Sequence, residues 1–332
     1  MRDLSILMYN FDIKNCFSMS KITIEKELLI VERLIQTDLI KDRSISDLYK
    51  HIFNSSGKKI RAKLCLLSSK PSNNNKLRYK LAAVIELLHT ATLVHDDVVD
   101  NSPTRRGKKS INNIWTNSHG VLIGDYIYSK AFIYMVDIAN MKILKELSKA
   151  TNDISQGELI QLDSLKNTNV SLQRLKKISY FKTGRLFEAS AKSGAILAGF
   201  TPSKINAISE YAKNLGILFQ VKDDLLDYSI DNDIGKPLFK DLKEGKITYP
   251  FYYAHKNASS KNRKILEKYL GNEKINIQKA YNLISDLKGI KLTEKLAYHF
   301  YEKSIQSVKK INDKRIEIEM LELIDNAFYR AK

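Results

Sequence analysis

The sequence contains few of the residues that interrupt helices. Its 332 residues include only 13 Gly and 5 Pro, while 43% are hydrophobic. A chain of this length buries a large core, and the scarcity of turn residues favours helices over a turn-rich β architecture. The two cysteines, Cys16 and Cys65, are too few for a disulfide framework or a zinc site, which is typical of a protein of the reducing cytosol.

Long apolar runs are also missing, since none approaches the ~18–20 residues needed to cross a bilayer. The first twenty residues mix apolar and polar side chains and contain Asp3 and Asp12. They lack the basic start and compact apolar block of a signal peptide, and they are not Arg-rich like a transit peptide. We therefore predict a loosely ordered extension over residues 1–20, a folded domain over residues 21–332 and a cytoplasmic location.

The charge is strongly of one sign, with 55 Lys and Arg against 37 Asp and Glu and a net charge of +18. Such a charge is typical of proteins that bind nucleic acid or membrane surfaces. The basic residues are spread along the chain, however, and no basic–aromatic stripe or nucleic-acid motif accompanies them. We expect no nucleic-acid partner, and we keep transient contact with an anionic membrane as a hypothesis.

Apolar residues recur at helical spacing through most of the chain, and no segment shows a persuasive strand or hairpin pattern. The pattern predicts polar loops and helices, and no linker divides them, so we expect a single all-α domain. The predicted loops are Pro71–Lys76, 101–110 and 229–245; the predicted helices are Ile22–Ile40, Ile60–Ser68, 77–99, 118–137, 141–162, 171–199 and 203–228, with shorter helices over 246–332.

Two copies of one acidic pattern end two of these helices. DDVVD contains Asp96, Asp97 and Asp100, and DDLLD contains Asp223, Asp224 and Asp227. Residues four apart share a helix face at ~6 Å, so the first and last acids of each motif project together. Paired carboxylates repel each other unless a cation lies between them, and Mg²⁺ commonly joins a few carboxylates to substrate phosphates. The motifs predict one phosphate-bearing substrate held by metal ions in a cavity between two facing helices.

Cationic and polar residues accompany both motifs. Arg105 and Arg106 follow the first motif, and His89 lies two helical turns before Asp96, whereas His95 lies elsewhere on the helix. Arg presents a planar fork that matches phosphate oxygens. The remaining candidate phosphate contacts are Lys58 and Arg61, predicted to share a face after Gly57, and Lys182, Thr183, Gln220, Lys236 and Lys246. Each of them, taken alone, is equally typical of an ordinary surface residue.

This set of acids and cations is typical of diphosphate chemistry. The chain has no GxxxxGK[ST] loop, no GxSxG elbow and no HExxH motif, which argues against P-loop nucleotide hydrolysis and against those two hydrolase classes. In the interpretation we favour, the diphosphate itself is the leaving group, and metals and cations stabilise the charge that grows on it. An apolar cavity below would hold a hydrocarbon chain and keep water from a carbocation.

The chain resembles the trans-type polyprenyl diphosphate synthases from about residue 25 to the C-terminus. The resemblance rests on six segments that occur in order, namely GKKIR, HTATLVHDDVVD, RRG, KT, FQVKDDLLD and GKITYP. The resemblance implies an all-α bundle of long helices around a central cavity (the isoprenoid synthase type), usually a homodimer, with two or three Mg²⁺ ions. It implies head-to-tail addition of isopentenyl diphosphate to an allylic diphosphate such as farnesyl diphosphate, with octaprenyl diphosphate for quinone side chains as the expected product.

The resemblance also implies roles for individual residues. The implied Mg²⁺ ligands are Asp96, Asp100, Asp223 and Asp227, and Asp97, Asp224, Lys182 and Lys246 are counted with them as catalytic. The implied isopentenyl diphosphate contacts are Lys58, Arg61, His89 and Arg106, and the implied allylic diphosphate contacts are Arg105, Lys182, Thr183, Gln220, Lys236 and Lys246. Three positions depart from the family pattern, namely Lys59 for Arg, Ala62 for Pro and Lys240 for a small or acidic residue, and none removes an implied metal ligand.

The length of the product can be predicted from small residues that lie at least one helical turn before DDVVD. Ala91 and Thr92 stand where short-chain members of the family place an aromatic floor, so growth is expected to pass fifteen carbons. A deeper floor from Phe132, Tyr134 or Met135 is possible on the next helix. Alternatives are a medium-chain (geranylgeranyl or hexaprenyl) synthase or a non-catalytic partner subunit of a heteromeric synthase, although such subunits usually lose one motif. A terpene cyclase would carry an NSE-type second motif, which is absent here.

Overall fold

The computed structural model describes residues 24–36, 42–54, 57–70, 72, 74–229 and 238–329. The predicted extension over residues 1–20 and the candidate Lys236 lie outside these ranges. The described residues are overwhelmingly helical, which confirms the predicted all-α class. The helices are α1 (24–36), α2 (Arg43–Phe53), α3 (Ile60–Ser69), α4 (Asn75–Val99), α5 (Ile111–Ile114), α6 (Asn117–Ile138), α7 (Met141–Leu162), α8 (Leu172–Ser179), α9 (Arg185–Leu197), α10 (Pro202–Asp227), α11 (Lys240–Lys243), α12 (Tyr249–Asn257), α13 (Ser260–Tyr269), α14 (Ile277–Asp286), α15 (Gly289–Val308) and α16 (Lys314–Phe328).

Side-chain caps explain where several helices begin. Asn74 Oδ1 accepts a hydrogen bond from the backbone N–H of Leu77 at 3.1 Å and so satisfies a donor in the first turn of α4. Caps of the same kind start α6, α8, α13 and α14, at Thr116, Ser171, Ser259 and Asn276. No helix among the described residues is long and apolar enough to span a membrane.

The sequence pattern did not predict helices α2 and α5, and it gave α11 as part of the loop over 229–245. It was also wrong at two further places. A hairpin of β1 (Thr104–Arg105) and β2 (Lys108–Lys109) stands where only a polar loop was predicted. Its strands are two residues long, too short to show the alternation that marks a strand. The single helix predicted over 171–199 is divided by a π-helical segment (Tyr180–Gly184).

Contacts divide the described chain into two compact units. The first contains the described residues up to Ser148, then Ala189–Asn206 and Asp313–Glu319. Its core is the long helix α4 packed against α3 and α6. A buried ion pair closes its edge, in which Arg78 Nη1 donates to Glu27 Oε1 at 2.8 Å. The thiol of Cys65 is free and buried in this core, whereas Cys16 lies outside the described residues.

The second unit contains Lys149–Glu188, Ala207–Asn312 and the described residues from Met320 onward. In it α12 packs against α13, α14 and α15 around an apolar cluster that includes Tyr228, Phe239 and Phe251. The rings of Tyr228 and Phe239 lie 4.7 Å apart, so the end of α10 packs against the residue just before α11. The second acidic motif is therefore directly followed by a residue of this apolar cluster.

Candidate active site

The DDVVD motif forms the last turn of α4 in the first unit. Asp96 and Asp100 are half-buried, and Asp100 is the C-terminal cap, whose N–H donates to the carbonyl oxygen of Asp96 at 2.8 Å. The helix stops here because Asn101 takes a left-handed conformation (φ 48°). Carboxylates at a helix C-terminus face the negative end of the helix dipole, which costs stability. Such a placement indicates a functional role for these acids.

The middle acid, Asp97, has a different environment. It is 5% exposed, and its Oδ1 accepts hydrogen bonds from Arg105 Nε at 2.9 Å and Nη2 at 2.5 Å. Its backbone carbonyl accepts the N–H of Ser102 at 2.9 Å. Asp97 therefore holds the chain that follows the motif through both its side chain and its backbone.

The hairpin β1–β2 presents the two arginines predicted as phosphate contacts. Its two-residue turn is Arg106–Gly107, with positive φ values of 52° and 77°, the pattern of a type I′ hairpin turn. The hairpin is tied to the end of α2, since His51 Nε2 lies 2.8 Å from the carbonyl oxygen of Lys109. Lys108 Nζ also donates to the carbonyl oxygen of Asn54 at 3.0 Å.

Gly57 leaves space for the side chain of Arg106. A Cβ built on Gly57 would lie 2.5 Å from Arg106 Nη1 and 2.8 Å from its Cζ, so the guanidinium occupies the space that a side chain would fill. Helix α3 begins only at Ile60, after Lys59 in a left-handed conformation (φ 45°). The prediction that Lys58 and Arg61 share a helix face is therefore wrong, because Lys58 precedes the helix; its side chain is exposed.

Arg61 and His89 meet in the first unit, as their predicted common role requires. Arg61 Nη1 lies 3.0 Å from His89 Nε2, and because arginine only donates, the histidine nitrogen accepts and its proton lies on Nδ1. Burial, together with the nearby guanidinium of Arg61, lowers the pKa of His89 well below its usual value. A neutral His89 thus keeps an N–H donor on Nδ1.

Glu86, which sequence reasoning did not select, lies beneath these cations. It is 8% exposed, and its Oε1 accepts the N–H of Ala62 at 3.2 Å in the first turn of α3. Burial raises the pKa of Glu86, while the nearby charges of Arg61, Lys59 and Arg106 oppose that rise. The signal in the sequence that could have identified Glu86 was an acidic residue one helical turn before His89. Lys59 also pairs with Glu32 of α1.

The small residues predicted to control product length lie on α4 as expected from its register. Ala91 is fully buried, and the hydroxyl of Thr92 donates to the carbonyl oxygen of His89 at 2.8 Å. Of the three floor candidates on α6, Tyr134 and Met135 are buried, whereas Phe132 is 42% exposed. Tyr134 and Met135 are therefore the floor candidates that belong to the interior of this unit.

A cleft of about 490 Å³ also lies in the first unit, away from DDVVD. It is lined by the junction of α6 and α7 and by the junction of α9 and α10, with Met141, Phe200 and Ile205 among its residues. The pair α4–α6 is antiparallel, because Gly120 contacts Val98 near the motif while Lys80 pairs with Asp137 at the other end. The cleft is thus at the end of α6 remote from the acids.

The DDLLD motif ends α10 in the second unit. Asp223 and Asp227 are half-buried and four residues apart, as predicted. Asp227 accepts the backbone N–H of Lys240 at 2.9 Å and that of Asp241 at 3.2 Å, which binds the motif to the start of α11. Burial, and then the nearby carboxylate of Asp241, raises the pKa of Asp227 to about 7. Such a crowded acidic group gains from a cation.

Asp224 is the counterpart of Asp97 in the second motif. Its Oδ1 accepts from Gln220 Nε2 at 2.9 Å, and its Oδ2 accepts the N–H of Tyr249 at 3.2 Å. The hydroxyl of Thr183 donates to Gln220 Oε1 at 2.7 Å and extends this network to the π-helical segment. Gln220, a predicted phosphate contact, thus has Asp224, one turn along the helix, as a hydrogen-bond partner. Burial raises the pKa of Asp224 well above its usual value.

Lys182 projects from the π-helical segment. Its Nζ donates to Glu158 Oε2 and to Gln161 Oε1 of α7, each at 2.8 Å. The close approach depends on Gly157, where a Cβ would lie 2.8 Å from the Cβ of Phe181 and 3.0 Å from the backbone nitrogen of Lys182. Sequence reasoning missed Glu158 and Gln161, and their i, i+3 spacing after a glycine was the only signal.

Lys246 and Lys240 lie beside acidic residues that the sequence interpretation did not use. Lys246 Nζ is 2.8 Å from Glu244 Oε2 and 4.0 Å from Asp241 Oδ1. Lys240, one of the three departures from the family pattern, pairs with Glu244 at 3.5 Å. Within the described residues no three His, Cys, Asp or Glu side chains form a ready metal-binding group.

A family model described as polyprenyl synthetase matches residues 42–287. Octaprenyl diphosphate synthase of Escherichia coli (strain K12) is 41% identical over 212 residues, which are 63% of this chain and 66% of that protein. This chain thus aligns with just under two thirds of that relative's length. A prenyl transferase of Cyanidium caldarium is 35% identical over 317 residues, 93% of this chain and 97% of that protein.

Solved structures share the fold. A decaprenyl diphosphate synthase from Rhodobacter capsulatus superposes with a TM-score of 0.88 at 29% identity, covering 93% of this chain and 98% of that one. A polyprenyl synthase from Caulobacter crescentus, crystallised with calcium and isoprenyl diphosphate, gives a TM-score of 0.87 at 31% identity, covering 96% of this chain and 98% of that one.

Proposed function

Because the chain belongs to the polyprenyl synthetase family, we propose that it is a long-chain trans-polyprenyl diphosphate synthase. It adds isopentenyl diphosphate units head-to-tail to an allylic diphosphate such as farnesyl diphosphate, giving octaprenyl diphosphate for a quinone side chain. Relatives named octaprenyl, nonaprenyl and decaprenyl diphosphate synthase support a long product. The observation that carries the proposal is that both DDxxD motifs end long helices and that each is joined, within its own unit, to donors suited to phosphate.

Magnesium fits the acids at both motifs. Asp96 with Asp100, and Asp223 with Asp227, offer oxygen pairs with one-turn spacing, the kind of site in which Mg²⁺ joins carboxylates to substrate phosphates. The raised pKa of Asp227 supports a cation at that motif. When bound, two or three Mg²⁺ ions would neutralise the charge that develops on the departing diphosphate. The Caulobacter relative, which was crystallised with calcium and isoprenyl diphosphate, supports the same chemistry.

The cations divide between the two substrates. Arg61, Arg106 and neutral His89, with Lys58, bind the diphosphate of isopentenyl diphosphate. The allylic diphosphate is bound by Arg105, Lys182, Thr183, Gln220, Lys246 and Lys236, the last of which lies outside the described residues. The allylic carbon–oxygen bond breaks, the homoallylic double bond forms the new carbon–carbon bond to the resulting cation, and the released diphosphate takes the proton that restores the double bond.

The product grows past Ala91 and Thr92, whose small side chains leave space along α4. The buried pair Tyr134 and Met135 of α6 is the proposed deeper floor. The single all-α domain expected from the sequence is part of the same proposal. In this arrangement chain length is decided by the depth of an apolar tunnel, not by the diphosphate sites.

A second copy of the chain is the proposed partner. Helix α6 exposes an apolar stripe that includes Leu122 (67% exposed), Ile133 (62%) and Val136 (67%), a large surface for a helix to leave in water. A homodimer through α6 would bury it. Light scattering on wild type and on Ile133→Glu tests this: a wild-type monomer, or an unchanged dimer in the variant, contradicts the assignment.

We also propose a cytoplasmic enzyme that contacts anionic membranes transiently through its net charge of +18. The polyprenyl product is apolar and partitions out of water. Basic residues near an anionic membrane surface each add about 1 kcal/mol of attraction. Co-sedimentation with phosphatidylserine vesicles at low salt measures this contact. The absence of binding at low salt would remove the membrane from the proposal.

The proposed activity is tested by incubating the purified protein with farnesyl diphosphate, labelled isopentenyl diphosphate and Mg²⁺, and sizing the labelled products. A ladder ending near eight isoprene units is expected; chelation of Mg²⁺ should abolish it, and Asp96→Asn should reduce it and raise the Mg²⁺ requirement. Products that stop at four to six units would identify a medium-chain synthase. No product without a second protein would contradict a self-sufficient enzyme and favour a partner subunit.

A further inference from the structure

The second acid of each motif is oriented away from the role proposed for its neighbours. Successive residues of a helix project ~100° apart, so the side chain of Asp97 points in a different direction from that of Asp96. The structure gives it a buried position, whereas those two acids are half-buried. Asp224 is also buried, at 6% exposure, in contrast to Asp223 and Asp227.

Hydrogen bonds show what Asp97 does in that position. Its carboxylate receives two donors of one guanidinium, Arg105 Nε at 2.9 Å and Nη2 at 2.5 Å, which fixes the plane of the fork as well as its place. Its carbonyl oxygen holds the N–H of Ser102. The hairpin that carries Arg105 and Arg106 is thus attached to the acidic helix at one residue.

The opposite side of the hairpin is held independently. His51 lies 2.8 Å from the carbonyl oxygen of Lys109, and Lys108 donates to the carbonyl oxygen of Asn54 at 3.0 Å. The backbone of the hairpin is therefore supported without Asp97. What depends on Asp97 is the direction of the Arg105 side chain.

We infer that Asp97 is a positioning residue that acts through Arg105: it aims this guanidinium at the allylic diphosphate and does not bind metal. The inference rests on the proposed function. Asp224 is used in the same way in the second unit, where it receives the amide of Gln220 at 2.9 Å and the N–H of Tyr249 at 3.2 Å. In both motifs the first and last acids are the proposed metal ligands, and the second acid aligns a neighbouring phosphate donor.

A double-mutant cycle separates positioning from metal binding. The variants are Asp97→Asn, Arg105→Gln and the two combined, with Asp96→Asn as the matched control on the same turn. Asp97→Asn should raise KM for farnesyl diphosphate by about tenfold, the loss expected for one charge-assisted hydrogen bond. KM for isopentenyl diphosphate and the Mg²⁺ concentration for half-maximal activity should change less than about twofold. The combined variant should be no worse than Arg105→Gln.

Two results would overturn the inference. One is a rise in the Mg²⁺ requirement of Asp97→Asn comparable to that of Asp96→Asn. The other is a loss from Asp97→Asn that is as large in the Arg105→Gln background as in wild type. If Asp97→Asn does not fold, Arg105→Lys, which keeps the charge and loses the fork, should raise the same KM alone. Wild-type protein without prenyl product would contradict the proposed function itself, which is a different outcome.

Discussion

The contact between Gly57 and the Arg106 guanidinium yields a prediction in which stability and function separate. Adding one methyl group by Gly57→Ala places a Cβ 2.5 Å from Nη1, 2.8 Å from Cζ and 2.9 Å from Nη2 of Arg106. These distances are too short to persist, so the guanidinium must move. The obstructing atoms are the end of a flexible side chain, and the fold can accommodate that movement.

The expected change in stability is small. Gly57 does not occupy the left-handed region, so alanine fits its backbone, and such a replacement gains about 0.4–1 kcal/mol by restricting the unfolded chain. That gain offsets part of the cost of displacing the Arg106 guanidinium. We expect the free energy of unfolding to change by no more than about 1 kcal/mol, within the range of ordinary surface substitutions.

The expected change in function is large. A hydrogen bond to a charged group contributes about 1.5–3 kcal/mol, and every ~1.4 kcal/mol is a factor of ten in affinity. Displacing Arg106 from the diphosphate of isopentenyl diphosphate should therefore raise KM for that substrate about 10- to 150-fold. KM for farnesyl diphosphate should change little, because Arg105 is held separately by Asp97.

Steady-state kinetics with each substrate varied in turn, together with urea unfolding, measure both quantities. Arg106→Gln should reproduce the rise in KM, and adding Gly57→Ala to it should have little further effect. The reasoning is refuted if Gly57→Ala folds normally and leaves KM for isopentenyl diphosphate unchanged. It is equally refuted if both substrates are affected to the same extent, since that would mean a general distortion.

Three further predictions concern the tunnel, the metal and the core. Ala91→Phe should shorten the main product toward fifteen or twenty carbons in the labelled-substrate assay, because an aromatic ring on α4 would stop the growing chain; unchanged length would refute the floor argument. The pKa of Asp227 is raised to about 7, so below pH 7 Mg²⁺ must displace a proton. The Mg²⁺ concentration for half-maximal activity should rise about tenfold per pH unit as pH falls below 7, and a flat response from pH 6 to 8 would contradict this. Gly194→Ala should lower the free energy of unfolding by about 1–3 kcal/mol in urea titrations, because its Cβ would lie 2.5 Å from the carbonyl oxygen of Cys65, which is backbone and cannot swing away; wild-type stability would show that α9 shifts freely.

Both motif helices were predictable because their information is local. Apolar spacing placed α4 and α10 to within two residues of their observed ends, and one-turn spacing identified Asp96 with Asp100 and Asp223 with Asp227 as pairs. The hairpin after α4 was missed because two-residue strands carry no periodic signal. The π-helical segment was missed because Gly157 lets α7 approach Phe181 closely, a contact between residues far apart in the chain.

The amino-acid sequence by itself determined the helical class, the acidic pairs and the family resemblance, because all three depend on composition and on spacing along the chain. Tertiary structure decided which donors those acids receive. Asp97 meets Arg105 only because a left-handed turn reverses the chain, and Arg106 meets Gly57 only because the hairpin returns to the end of α2. Residues 49 positions apart can share a few ångströms only after the helices have packed, and no local pattern encodes that distance.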